Sequence, residues 1–438
     1  MMDVDQTRIL LVLAVVLGHV AIVVLVAFKF NLLAMLSAGF LLLAAFSTAK
    51  EMTGVEDIKW GRVYFSLLIL VTAALMRHPF RFGPSSVALM LGLSFYMIAP
   101  AWSGEPVQAY YFRAMSVVTL LAGMMLGAGC RSRQELHACM RLLLVPAVVI
   151  CFVLLQAIAR EPSKVFHLGR LEAFGINSNR IGQVAAPFLI ICAYVALHDW
   201  VKISRIIAYF AGTFLALVNI LTGSRGGVGE AAIGCFFLLI PVVRRPLQVG
   251  LVLIALFASF YLISNLVEES KATERLARVD FESRREPWGE AQALIQEKPM
   301  FGHGWIYQGS RRQSSTAKNM HSIYLQILAE SGFVGFACFG AGMLVIMARS
   351  INLYVFTVRR GAASRTIYLA LGLCGAVCAW GVVDSGTIWG STPNCFMLGL
   401  SVALFDRVVD HIHADSATLS VTVPDASPGQ VQLTASPG

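Results

Sequence analysis

Charge is what this sequence has least of. Only 13% of its 438 residues are charged, 57% are hydrophobic, and the mean hydropathy is +0.71. Soluble globular proteins carry about 25% charged residues, so the composition excludes an ordinary soluble enzyme. Strand-like alternation is also missing. The apolar segments instead run for about 15–25 residues, the length of transmembrane helices.

The polar loops lack cysteine. All nine cysteines lie in or next to apolar segments, and none falls in the polar stretches 160–180 and 268–320. We therefore expect neither disulfides nor a metal site, and no cofactor is indicated. A basic helix or a basic patch interleaved with aromatic residues is missing too. The formal charge of +9 thus does not indicate nucleic-acid binding; it reports orientation in a lipid bilayer.

The apolar segments predict an all-α polytopic membrane protein with about 12 transmembrane helices and both termini on the same side. The first segment is too long for a cleaved signal peptide and is expected to stay as a span. Segment 63–76 is short for a crossing. The segments are 9–28, 31–49, 63–76, 87–102, 114–130, 142–159, 181–200, 206–223, 227–243, 247–267, 331–348, 366–383 and 395–406.

Arginine and lysine alternate between successive loops. Positions 131–141, 202–205, 244–245, 349–365 and 407 are rich in these residues, and they alternate with loops 160–180, 224–226, 268–320 and 384–394. The positive-inside rule makes the first set cytoplasmic and the second external.

Three regions follow from this topology. They are the N-terminal helices (1–223), a core (224–408) that includes the external loop 268–320, and a disordered cytoplasmic tail (409–438). In that tail, Asp410-His411-Ile412-His413 could hold a metal, but a solvated helix end is favoured, because two histidines two residues apart on a helix face different directions.

Arg225 stands out because it lies between two apolar segments with almost no loop, in Thr222-Gly223-Ser224-Arg225-Gly226-Gly227. The flanking glycines allow a sharp turn and the close approach of an anion. One interpretation is an arginine that reaches the membrane surface. The other is a guanidinium that grips phosphate oxygens through two parallel hydrogen bonds.

Loop 160–180 ends in Asn177-Ser178-Asn179-Arg180. Asparagine and serine favour a capped helix start. A supporting role of Arg180 in binding sugar or phosphate is the alternative.

The long external loop contains two arginines, Arg284 and Arg285, before a short amphipathic helix. That helix is predicted to begin at Pro287, with Trp288, Ala291, Leu294 and Ile295 recurring at helical spacing, and to end by Gly302-His303-Gly304. We expect it to lie on the membrane surface or to cap the bundle. The polar stretch 308–319 has the length of a lid or binding loop.

His321 is predicted to start a second helix, in which His321, Tyr324, Leu325 and Leu328 share a face and Ser331-Gly332 forms a hinge. A first-turn histidine feels the positive end of the helix dipole, which favours the neutral imidazole that can act as a base. A lone interfacial histidine is more often a polar anchor. Together with Arg225 and Arg284, it supplies what glycosyl transfer from a lipid pyrophosphate needs.

These residues resemble a family. The stretch from Arg284 to Trp288, then Glu297-Lys298-Pro299-Met300-Phe301-Gly302-His303-Gly304, then His321 to Gly332, and the upstream Ser224-Arg225-Gly226, are similar to the motifs of the O-antigen ligase and polymerase related proteins. The resemblance covers about 220–336. It departs at Ser322, where asparagine is common, and at the doubled arginine, of which Arg284 is favoured to point inward.

The resemblance implies a bacterial inner-membrane glycosyltransferase of the GT-C type with its active site facing the periplasm. Its donor would be a glycan linked to undecaprenyl pyrophosphate, and its acceptor lipid A–core oligosaccharide, without metal or nucleotide sugar. His321 would be the base and Arg225 and Arg284 (or Arg285) would bind the pyrophosphate, with Arg180 and Tyr324 as possible supporting residues. A polymerase using the same donor is the alternative. A non-catalytic transporter is less favoured, because the ionisable cluster lies at one face.

Overall fold

The computed structural model describes residues 29–46, 57–75, 82–103, 106–160, 165–167, 170–173, 176–241, 282–304, 320–359, 365–384 and 392–421. One short antiparallel hairpin, β1 (Phe166–His167) and β2 (Arg170–Leu171), accompanies the helices, and a 3₁₀ turn (Ala99–Trp102) follows the helix that ends at Ile98. Within these ranges the α-helices are α1 (Lys29–Phe46), α2 (Asp57–Leu75), α3 (Pro84–Ile98), α4 (Pro106–Gly129), α5 (Arg133–Arg160), α6 (Ser178–His198), α7 (Lys202–Leu221), α8 (Arg225–Leu239), α9 (Glu282–Glu297), α10 (Ile323–Arg359), α11 (Arg365–Val383) and α12 (Pro393–Val421).

The architecture is that of an all-α polytopic membrane protein, which confirms the expected fold class. Among the described residues, seven helices are long and apolar enough to cross a membrane: α3 with its 3₁₀ turn, α4, α5, α6, α7, α10 and α11. The predicted segments 9–28 and 247–267 lie outside the described residues. The total of about 12 crossings therefore stays a prediction.

Several helices extend beyond their apolar segments, and in two of them this changes a predicted limit. Helix α2 begins at Asp57 and has 19 residues, so the segment predicted at 63–76 belongs to a helix of about the length a crossing needs. Helix α12 continues to Val421, so the predicted boundary of the tail at 409 falls inside a helix. Hydropathy finds the apolar part of a helix and misses its polar ends.

Glycines allow the main helix pairs to approach closely. A Cβ atom at Gly123 of α4 would clash with the backbone of α12, and one at Gly372 of α11 would contact the backbone of Gly234 on α8. Gly92 of α3 faces the backbone of α10 in the same way. Small residues at such contacts are typical of membrane bundles, where packing rather than the hydrophobic effect drives helix association.

The arginine-rich loops meet at one end of the bundle. There Arg365 donates to the carbonyl of His198 (3.0 Å), and Arg407 donates to that of Ala128 (3.1 Å). This is the grouping that the alternation of the loops predicts. We call it the opposite end, and the end that carries Arg225, Arg284 and His321 the site end.

His411 corrects the interpretation of the C-terminal histidines as a solvated helix end. Its side chain is buried, with Nδ1 2.8 Å from the hydroxyl of Thr366 and Nε2 2.8 Å from the carbonyl of Cys130. The imidazole therefore joins α12 to α11 and to the residue after α4. The side chain of His413 lies outside the described residues.

Candidate functional site

Arg284 joins three segments at the site end. One of its terminal nitrogens, Nη1, donates to the carbonyl of His321 (3.1 Å) and also to the carbonyl of Val383, the last residue of α11. Val383 in turn packs beside Gly226, because a Cβ atom added there would meet the Val383 side chain. The start of α8, which carries Arg225, is thereby connected through Val383 to Arg284 and His321.

Arg225 is the first residue of α8 and is half-buried. Gly223 makes the turn between α7 and α8 with φ 59°, and Ser224 caps α8 by accepting from the amide of Gly227 (3.3 Å). Gly226 and Gly227 themselves lie in the helix, where they pack against Trp380 of α11 and Gly182 of α6. These two glycines therefore pack between helices, and the turn belongs to Gly223; that an anion approaches here stays a prediction.

His321 lies before the second helix instead of in its first turn. Helix α10 begins at Ile323, and the carbonyl of Ser322 accepts the amide of Gln326 (3.1 Å). His321 has φ 50°, the only described non-glycine residue with a left-handed backbone. Such conformations cost about 1–3 kcal/mol and persist where the surroundings hold them, often at functional sites. Here the carbonyl of His321 is held by Arg284.

Tyr324 and Leu325 point toward different neighbours, which corrects the single face predicted for His321, Tyr324, Leu325 and Leu328. The hydroxyl of Tyr324 donates to the carbonyl of Cys378 on α11 (3.0 Å). Leu325 instead packs with the cluster formed by Ala291, Leu294, Met320 and Ala329. Tyr324 therefore ties the start of α10 to α11.

Helix α9 starts at Glu282, so Pro287 lies inside the helix and not at its first position as predicted. Ala291 and Leu294 are buried against α10, which confirms the amphipathic pattern and places α9 as a cap on that helix.

The paired arginines face different surroundings. Arg284 is half-buried, whereas Arg285 is exposed and lines an open groove with Glu286, Gly289 and Glu290.

Helix α10 is broken at Gly332, where φ is 65° and ψ −169°, and the loop after α9 fits into the break. The amides of Phe333 and Val334 donate to the carbonyls of Pro299 (2.8 Å) and Met300 (3.2 Å). The amides of His303 and Gly304 donate back to the carbonyls of Ala329 (3.0 Å) and Glu330 (2.9 Å). Added Cβ atoms at Gly302 and Gly332 would overlap this backbone. Two stretches that carry the family resemblance thus form one joint.

Arg170 is a cation that the sequence reasoning missed. It lies on β2, and it donates from Nε to the carbonyl of Thr222 (2.9 Å) and from Nη2 to the side chain of Asn179 (3.1 Å). It therefore supports the turn that precedes Arg225.

Arg180 donates to the side chain of Gln183 (2.7 Å) near the start of α6, and Asn177 caps that helix, as the Asn-Ser-Asn pattern predicts.

Buried ionisable side chains inside apolar helices were also missed. Glu230 of α8 is fully buried, with its carboxyl beside the side chain of Asn394 on α12. Arg113 of α4 and Glu330 of α10 form a buried ion pair. For Glu230, a single charged residue inside the apolar segment 227–243 was the available signal, because such residues are rare in membranes and pair or function there. Arg113 and Glu330 each lie one residue outside a predicted segment and gave no such signal.

The site end concentrates positive charge near two helix starts. Arg225 is the first residue of α8, and Arg284 bonds the carbonyl of His321, two residues before α10; the amides and dipole of a helix N-terminus favour anions. The backbone of His321 is left-handed there, with its carbonyl bonded by Arg284. Among the residues that the structure describes, no group of histidine, cysteine or carboxylate side chains could hold a metal ion.

One comparison with known proteins finds a match. Residues 210–340 match the family described as O-antigen ligase, which confirms the resemblance to the O-antigen ligase and polymerase related proteins. The matched segment contains Arg225, Arg284, Arg285, His321 and Tyr324 but not Arg180. No curated protein matches the chain.

Proposed function

We propose that this membrane protein, whose residues 210–340 match the O-antigen ligase family, transfers a glycan from undecaprenyl pyrophosphate to lipid A–core oligosaccharide. The reaction would take place at the periplasmic face of a bacterial inner membrane, by a GT-C type mechanism without metal. The observation that carries the proposal is the hydrogen bond from Arg284 to the carbonyl of His321, at the end of the bundle where Arg225 opens α8.

In this proposal Arg225 and Arg284 bind the donor pyrophosphate. Arg225 stands at the start of α8, where the helix amides and the guanidinium both favour phosphate oxygens. Arg284 keeps one terminal nitrogen on backbone carbonyls, so its role combines holding His321 with donating toward the phosphate. Arg285 is exposed and would bind the donor more weakly. Arg180 and Tyr324 would support the pocket from α6 and α10.

His321 acts as the base. The acceptor hydroxyl oxygen attacks the anomeric carbon of the donor sugar, and its proton passes to the imidazole of His321. The bond between that carbon and the pyrophosphate oxygen breaks, and its electron pair stays on the phosphate, where arginine stabilises it. The products are the new glycoside and undecaprenyl pyrophosphate, and the imidazolium returns its proton to water.

The direct test is transfer by purified protein in lipid nanodiscs, with a lipid-linked glycan as donor. His321→Ala should reduce kcat by about 10²–10⁴-fold, the usual loss for a general base. His167→Ala is the matched control, because His167 is exposed on the hairpin at the same end. Near wild-type transfer by the His321→Ala protein, with wild-type folding, would refute the assignment.

The acceptor is tested in cells by the ladder of surface glycans after deletion of the gene. Loss of capped chains with accumulation of lipid-linked polymer supports the ligase. A single repeat unit on the core supports the polymerase, which shares the donor and the site residues and differs only in the acceptor.

A further inference from the structure

Arg113 and Glu330 form a buried ion pair between two membrane helices. Arg113 lies on α4 within a candidate span, Glu330 lies on α10, and their side chains are 2% and 0% exposed. Charged side chains inside a membrane are expensive unless they are paired. The pairing explains how both can be buried, but it leaves open why they are there.

The pair is held from three helices. The Oε1 atom of Glu330 accepts from the side-chain amide of Gln326 (3.0 Å), one turn earlier on α10. The guanidinium carbon of Arg113 lies 3.5 Å from the ring centroid of Tyr96 on α3, in cation–π geometry. The carboxylate of Glu330 is therefore fixed relative to both α3 and α4.

Glu330 lies at the end of the short helix 323–331, which begins directly after His321 and Ser322 and stops at the break at Gly332. Its backbone carbonyl accepts from the amide of Gly304 (2.9 Å), so the loop after α9 fixes the position of this short helix along its axis. The ion pair holds the side of the helix against α4. A helix held at its end by backbone and at its side by a charge pair cannot rotate about its axis without breaking one of them.

A buried ion pair is weak evidence for stability, because apolar residues of similar volume are often equally stable or more so. Fixing one geometry is the better-founded role for such a pair. The geometry in question here is that of the segment that carries His321.

We propose that Arg113 and Glu330 are positioning residues, whose buried ion pair sets the orientation of the short helix 323–331 and thereby places the His321 imidazole in the site. This proposal rests on the proposed role of His321 as the base. It adds to the site one residue, Arg113, that lies outside the matched segment 210–340.

The test uses a neutral double variant, because either single variant would leave one charge buried and unpaired. Arg113→Met keeps the length of the side chain over Tyr96, and Glu330→Gln keeps an oxygen that can accept from Gln326. We expect the double variant to fold with a Tm close to wild type. Its kcat should fall by up to about 10²-fold, the scale of a small misplacement of a catalytic group, while KM for the donor changes little.

The matched control removes the ion pair at the opposite end. Arg349 Nε and Asp406 Oδ1 lie 3.5 Å apart there, and Arg349→Met with Asp406→Asn removes the same charges while keeping one of the two oxygens that cap α3. Its kcat should equal wild type. A second readout does not need turnover: the rate at which diethylpyrocarbonate modifies His321, followed by mass spectrometry, should change in the site-end variant and not in the control.

Wild-type kcat and wild-type modification of His321 in the Arg113→Met, Glu330→Gln protein would overturn the proposal. So would a collapse of Tm in that protein, because the pair would then be merely structural. Full activity of the His321→Ala protein would instead refute the proposed function. In that case a changed modification rate would still support the positioning of the imidazole, and an unchanged rate would overturn it.

Discussion

The two ends of the bundle bury their charged groups for different purposes. At the opposite end, Asp406 accepts from the amides of Ser85 and Ser86 (both 3.0 Å) at the start of α3 and pairs with Arg349. The helices there are regular, and the charges close their ends. At the site end, the arginines hold backbone that is irregular.

Among the residues that the structure describes, positive φ angles are confined to site-end segments. Every described residue with positive φ lies in the turn before α8, in the loop after α9, or at the start or the break of α10: Gly223, Gly302, Gly304, His321 and Gly332. Strained backbone persists where surrounding contacts over-determine it, and it clusters at functional sites. The comparison teaches that the charges at the opposite end cap and pair helices, whereas those at the site end hold a particular backbone arrangement.

The largest effect should come from disrupting the joint between α10 and the loop after α9. Gly332→Ala adds a Cβ atom that overlaps the backbone of Met300, at a residue with φ 65°. We expect the free energy of unfolding to fall by about 2–4 kcal/mol, from backbone strain and overpacking together. The measurement is a lower Tm in detergent. Gly340→Ala is the control, because a Cβ there meets nothing within 4 Å. That variant should be neutral or more stable by up to about 1 kcal/mol. Equal Tm values for the two variants would show that the joint is not tight.

Arg225→Lys tests whether the site end binds the donor through a guanidinium. Lysine keeps the charge but cannot form two parallel hydrogen bonds, so we expect transfer to fall by up to about 10²-fold, the scale of losing one preorganised donor. The measurement is kcat/KM for the lipid-linked donor, with the exposed Arg160→Lys as control. Unchanged donor use by the Arg225→Lys protein would remove Arg225 from the site.

The paired arginines offer a sharper comparison within one helix turn. Arg284→Lys should lower kcat by roughly tenfold or more, because a guanidinium can hold the two carbonyls through Nη1 and donate toward phosphate through its other nitrogens, whereas a single ammonium cannot do both. Arg285→Lys should change kcat by less than about twofold, since an exposed charge in water contributes little. The same transfer assay measures both. The reverse order would mean that the exposed arginine turns inward when the donor binds.

The smallest effects are expected at the opposite end. Asp406→Asn keeps only one of the two oxygens that cap α3 and loses the ion pair with the partly buried Arg349, and should cost about 1–2 kcal/mol. Asp410→Asn, whose pair with Arg407 is half-exposed, should cost at most about 0.5 kcal/mol. Tm measures the stability, and transfer per folded molecule should stay at the wild-type level in both. A loss of kcat in either would contradict the separation of roles between the two ends.

Hydropathy and arginine alternation predict the helices and their grouping well, because a bilayer demands long apolar helices and biases the loops. The residues at which the helices begin and end were harder to predict. Pro287 looked like a first helical position, yet α9 begins at Glu282 and contains it. Local pattern cannot show that Arg284, in the turn before Pro287, bonds the distant carbonyls of His321 and Val383.

Candidate residues could be found by type, but their arrangement could not. The motif around His321 predicted a helical histidine, whereas the structure has His321 before α10 with a left-handed backbone. That conformation depends on Arg284, 37 residues away in sequence. The pairing of Arg113 with Glu330, across 217 residues, likewise has no local signal. Contacts between distant segments decide both.

The most direct measurement is a structure of this protein with its lipid-linked donor bound in a nanodisc. The account predicts the pyrophosphate at the site end, within hydrogen-bond distance of Arg225 and Arg284, with the His321 imidazole facing the anomeric carbon. A donor bound at the opposite end, or one whose pyrophosphate contacts neither Arg225 nor Arg284, would contradict it.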